Sequence, residues 1–161
     1  RRQEGAAMRS PLGLALALVL ALSSFAAEAR AELAPWDQAR VNALAQQLAD
    51  KTRELYDAIY RQPQPVAGTQ RKDYFKLKRE VRHLKNEARD FAGDVASGAG
   101  REQTEPGFEA LMSSARWAAQ EARSVFTVKQ VNDLAAETRG LLNELASYYD
   151  PDAPLPPPRR R

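Results

Sequence analysis

From Tyr74 to Val95 the apolar residues are Tyr74, Leu77, Val81, Leu84, Ala88, Phe91 and Val95. Their spacings alternate between three and four, which makes a two-position heptad seam sustained over three repeats. A helix with so narrow a stripe is not stable alone and must lay the seam against other helices. A seam this regular also suits a helix from a second chain, so a homodimer is open beside a monomeric bundle.

Three further amphipathic segments can supply the partners. The spacing predicts a first helix over 37–61, opened by Asp37 as N-cap, with Trp36 and Val41 as a hydrophobic staple. Its stripe is Val41, Leu44, Leu48, Thr52, Leu55 and Ile59, and it stops before Pro63 and Pro65. The seam helix covers about 70–96 and ends at Gly98-Ala99-Gly100, a glycine C-cap pattern. A polar loop from Gly100 to Thr104 leads to a third helix over about 105–125, with Pro106 in its first turn. The third stripe is Phe108, Leu111, Met112, Ala115, Ala119, Ala122 and Phe126, much smaller in its middle than the others. The fourth helix, about 128–149, follows a capping box of Thr127 with Gln130 and a staple of Phe126 with Val131. Its stripe is Val131, Leu134, Thr138, Leu141, Leu145 and Tyr148. Helices three and four are either joined by a tight turn or form one kinked helix, and the cap signals favour the turn. Short links between long helices predict an all-α fold, an antiparallel up-down-up-down four-helix bundle over 32–149.

The segments on either side read differently. Met8 is the expected start, followed by Arg9, an apolar run from Leu12 to Leu22, and Ala29-x-Ala31 before Glu32. This is the pattern of a cleavable signal peptide over 1–31, and the run is short for a bilayer span. The same run retained as an anchor is the alternative. The expectation is an exported protein, periplasmic or secreted by a bacterium, with no stable membrane span after cleavage. The tail over 150–161 holds five prolines and three terminal arginines and is expected to be extended and unpacked.

Composition narrows the function classes. The 161 residues contain no cysteine, which excludes disulfides, thiolate metal sites and a cysteine nucleophile. The pI of 9.3 points to nucleic acid, but the basic excess lies at the chain ends. Residues 32–158 carry a net charge of −2 by formal count. Binding to a phosphate backbone by counterion release therefore has little support, and no nucleic-acid partner is expected.

Four candidate sites stand out. Thr52, Ala88, Ala115 and Thr138 are the midpoints of the four stripes and form a small-residue layer if the helices are in register. Such a layer either packs tightly, each threonine bonded within its own helix, or hosts a small ligand. Lys78, Arg82, Lys85 and Arg89 follow at i, i+4, i+7 and i+11 and define one basic helix face, able to dock an unknown protein or anionic surface. Trp117 lies off its apolar stripe, as an interface tryptophan does. His83 with Met112 is a conceivable haem pair, but the heptad turns His83 outward, so no cofactor is expected. No nucleophile sits beside a base and no paired carboxylates share a buried face, so no catalytic residue is nominated and an enzyme is not expected. The leading expectation is an exported, non-enzymatic interaction, adaptor or chaperone-like module acting through the basic face. The alternative is a small-ligand or cofactor carrier using the small-residue layer.

Overall fold

The computed structural model describes residues 33–63, 68–150 and 155. Residues 1–32, where the signal peptide is expected, the connection over 64–67 and the rest of the tail lie outside the described residues. Four helices follow in order: α1 Gln38–Arg61, α2 Gly68–Ala96, α3 Arg101–Glu121 and α4 Lys129–Tyr149. The described residues are all-helical, with no strand among them, and none of their helices is long and apolar enough to cross a membrane.

Helix α2 is the middle of the packing. All seven seam residues are buried, as are all six stripe residues of α1. Removing one such leucine or phenylalanine from water contributes about 1.5–3 kcal/mol, which fixes the α1–α2 pair. Helix α1 also packs along α4, and α2 also packs along α3, whereas α3 and α4 touch only sparingly. The first stop signal works through Gly98, whose φ of +91° suits glycine alone. Ala99 N–H then reaches the carbonyl of Asp94, and Gly98 N–H reaches that of Val95. Asp37 caps α1 by accepting from Arg40 N–H at 3.0 Å.

At one end of the bundle the start of α1, the end of α2, the start of α3 and the end of α4 meet in an aromatic cluster. Tyr149 is stacked on Phe108 with ring centres 4.3 Å apart, and Phe91 and Trp36 meet Tyr149 edge-on at 6.0 and 5.7 Å. The Tyr149 and Thr104 hydroxyls share a hydrogen bond at 2.7 Å. Ala34 N–H donates to the Ser147 carbonyl, the Arg101 guanidinium to the Ala34 carbonyl and the Gln38 amide to the Val95 carbonyl. The Arg101 guanidinium also lies over the Trp36 ring at 5.7 Å. Burial pushes the Tyr149 phenol above its ordinary pKa, with the Thr104 bond opposing that rise. We call this the closed end.

Several expectations are corrected here. Helix α3 begins at Arg101, so the stretch expected as a polar loop is its first turn and Pro106 is its sixth residue. The reason is Thr104, whose side chain is buried against Tyr149 and draws one more turn into the helix. Only the single bond that the Pro106 N–H would have made is lost. Helix α4 begins at Lys129 after Val128, without a side-chain cap. Thr127 Oγ1 instead bonds Asn132 Oδ1 at 2.6 Å, so there is no capping box with Gln130. Phe126 is 72% exposed and makes no staple, and Val125 takes the buried place beside it. The buried stripe of α4 runs through Leu142 and Tyr149 rather than Leu141 and Tyr148, which are half-buried. On α3 Ala115 is buried as expected, but the next buried alanine is Ala118 rather than Ala119. A non-helical segment separates α3 from α4, so they are two helices. Leu155, in the tail expected to be unpacked, is buried, and its N–H donates to Asn143 Oδ1 at 2.9 Å.

Candidate functional site

At the other end of the bundle α3 and α4 do not close on each other. Side-chain size explains this. Near the closed end the facing residues are Phe108, Leu111, Met112, Leu145 and Tyr149, all large and buried. Towards the C-terminus of α3 they become Ala115, Ala118, Ala119 and Ala122, and towards the N-terminus of α4 they become Ala135 and Ala136. Helices are stiff rods. The aromatic stack sets a wide separation at one end, and the alanines cannot fill it at the other.

The result is an apolar cleft of about 750 Å³. Its floor is Leu55 and Ile59 of α1 with Leu77, Val81 and Leu84 of α2. Its walls are the alanines with Val131, Thr138 and Leu142 of α4. Val125, Phe126 and Thr127 of the connecting segment lie across its end, and Leu155 of the tail reaches into it. The volume is within the range of small-molecule sites. Two arginines, Arg123 and Arg139, line the cleft, and among the described residues no aspartate or glutamate does. Arg139 is half-buried, and burial pushes its guanidinium below the ordinary arginine pKa without offering it an acid.

The small-residue layer divides. Ala115 and Thr138 line this cleft, whereas Thr52 and Ala88 are fully buried and do not reach it. Both hydroxyls are satisfied within their own helices, Thr138 by the Leu134 carbonyl at 2.8 Å and Thr52 by the Ala49 carbonyl at 3.0 Å. The threonines therefore offer no free donor to a ligand. The signal for the cleft was the alanine density of the third stripe rather than the two hydroxyls.

The basic face is largely used up inside the bundle. Lys78 is only 8% exposed, with Nζ 4.3 Å from the centre of the Tyr60 ring and 4.8 Å from that of Tyr74. Lys85 Nζ lies 4.5 Å from the centre of the Tyr56 ring. Both lysines thus lie over tyrosines, two of them on α1, as cation–π partners of the kind worth about 0.5–2 kcal/mol. Tyr74 in turn donates its hydroxyl to the Ile59 carbonyl, and burial raises its phenol pKa. Arg82 and Arg89 remain exposed, and Arg89 pairs with Asp90 at 2.8 Å. Trp117 is 53% exposed and lines no part of the cleft. His83 is exposed on α2 while Met112 is buried on α3, so the structure does not bring them together as axial ligands. Among the described residues no three of His, Asp or Glu are grouped to hold a metal ion.

The cleft end also carries most of the exposed large apolar side chains. Phe126 and Val128 lie beside the cleft, and Tyr60 and Phe75 near the α1–α2 connection are 43% and 52% exposed. Compared with protein-family models, curated proteins and solved structures, the chain matches none.

Proposed function

We propose that this chain is an exported, non-enzymatic carrier that holds an apolar or amphipathic small molecule in the cleft between α3 and α4. The single observation behind the reading is the cleft itself, about 750 Å³ of apolar space open to solvent. Apolar walls left facing water lose the stabilisation that burial would give them, and an apolar ligand in the cleft supplies it. An up-down-up-down path supports this use, because it sets the alanine half of α3 beside the alanine half of α4. The contacts agree with that path. Gln38 at the start of α1 meets Val95 at the end of α2, and Arg40 and Lys51 of α1 pair with Glu144 and Glu137 of α4. Export is supported by the apolar run Leu12–Leu22 followed by Ala29-x-Ala31.

The test uses a neutral apolar dye, Nile red, with the full chain. Its fluorescence should rise on binding, and Ala119→Trp together with Ala135→Leu should remove that rise while leaving the helical circular dichroism intact. A rise that survives in the folded double variant would place the dye elsewhere and end the carrier reading.

A surface-interaction reading keeps one observation of its own, the exposed Trp117 with Arg82 and Arg89 outward on the neighbouring α2. It calls for a partner whose capture is lost in Arg82→Glu/Arg89→Glu or in Trp117→Ala. Lys78 and Lys85 are poor choices for that experiment, because their removal would disturb the packing on the tyrosines.

A further inference from the structure

The carrier reading leaves the ligand's chemistry open, and the polar residues of the cleft narrow it. Resting on that reading, we infer that the cleft takes a single-chain anionic amphiphile, a long-chain carboxylate, whose head group sits on Arg139 and whose chain lies along the alanine walls.

Charge is the first ground. Among the described residues that line the cleft there is no aspartate or glutamate, and Arg139 carries a positive charge there. A cationic or zwitterionic head group would find no counter-charge there, whereas a carboxylate would find a guanidinium. Arg139 is the anchor because of its position. It lies one residue beyond Thr138, on the α4 wall, and no described residue gives it an ion pair or hydrogen bond. A half-buried guanidinium beside apolar walls stays cationic at neutral pH, and it pairs best with a planar two-oxygen acceptor. Several exposed cations of the bundle pair with acids, as in Arg40 with Glu144 and Lys129 with Asp133. Arg139 differs from them in being drawn partly out of water without that compensation.

Shape is the second ground. The cleft runs along α3 from Ala115 to Ala119, on past Ala122 and Phe126 of the connecting segment, and along α4 from Val131 to Leu142, roughly 16 Å of helix. A flexible chain fills such a space better than a rigid disc. The third ground is Leu155. The chain itself places one aliphatic side chain, that of Leu155, in the cleft, and the Leu155 N–H donates to Asn143 Oδ1. An aliphatic group is therefore accepted there, and a ligand with more carbon to bury competes for the same space.

The experiment compares dodecanoate with 1-dodecanol, each below its self-association limit, by isothermal titration calorimetry on the full chain. Dodecanoate should bind about tenfold or more tightly than the alcohol, the effect of one charge-assisted pair. Arg139→Ala should remove that preference, bringing dodecanoate to the affinity of the alcohol for the same variant, and Arg139→Lys should restore part of it. Leu155→Ala should tighten both ligands by a similar factor, since the tail competes with either. Equal binding of the two ligands, or a preference that survives Arg139→Ala, would overturn the anionic assignment and leave the carrier reading standing. Failure of both ligands to bind either the wild type or Leu155→Ala would overturn the carrier reading with it. Circular dichroism of each variant confirms that the helices are retained.

Discussion

The two ends of this bundle are made from the same four helices and come out differently. At the closed end Trp36, Phe91, Phe108 and Tyr149 interlock, Thr104 bonds the Tyr149 hydroxyl, and Arg101 and Gln38 donate to the Ala34 and Val95 carbonyls. At the open end α3 and α4 offer alanine to each other, and the space stays open above a floor of leucine, isoleucine and valine. The contrast divides aromatic packing from open apolar space along the helix axis. Large side chains at one end hold the helices at a spacing that small ones at the other end cannot close. A cleft then follows from side-chain volume, without any break in the helices that line it.

The sharpest way to break this comparison is to remove one aromatic from each end. Tyr149→Ala should cost about 3–5 kcal/mol in chemical denaturation, because it empties the centre of the cluster. Phe126→Ala at the open end should change stability by less than about 0.5 kcal/mol, as an exposed side chain does. Equal losses would mean that the open end carries as much of the fold as the closed one.

A second comparison adds volume instead. Ala88→Leu, in the fully buried part of the small-residue layer, should destabilise by about 1–3 kcal/mol through overpacking. Ala119→Leu, on the wall of the cleft, should raise stability by about 0.5–2 kcal/mol by filling space. Denaturation midpoints read both. Should Ala119→Leu destabilise as much as Ala88→Leu, the cleft would not be free space.

The smallest effect concerns alkaline pH. Tyr149 and Tyr74 both have phenols raised above the ordinary value by burial. A raised folded pKa means that folding holds the proton more tightly than the unfolded chain does. The contribution is complete below the unfolded value of about 10 and is lost as pH rises through the folded value. Stability should therefore fall above about pH 10, and Tyr149→Phe should make the fall shallower. A pH-independent midpoint in that range would contradict the burial of both phenols.

Much of this was legible in the sequence, and the exceptions have physical causes. Every residue expected in the seam of α2 and the stripe of α1 is buried, because the large apolar side chains recur once per turn on one face, and the small Ala45 and Ala92 beside them are buried as well. The α4 stripe was ambiguous at its doublets, Leu141-Leu142 and Tyr148-Tyr149, where either member satisfies the helical period. Only the position of Phe108 and Phe91 across the bundle selects Tyr149. Lys78 and Lys85 read as a solvated face, since one helix's pattern cannot show that Tyr56 and Tyr60 wait on another. Half of the cleft was visible in advance. Ala115 and Thr138 were picked out as small, but the layer was placed at one height across four helices rather than along the length of two. Leu155 gave no signal, because five prolines in its neighbourhood argue for an unpacked tail while saying nothing of the one apolar side chain among them.

The most direct measurement is a methyl-detected nuclear magnetic resonance titration of the full chain with dodecanoate. A ligand in the cleft should shift Leu142, Val131 and the Ala118 methyl and leave Val41 and Val95 at the closed end unmoved. No shift at any of these methyls, or equal shifts at both ends, would contradict a binding site confined to the open end.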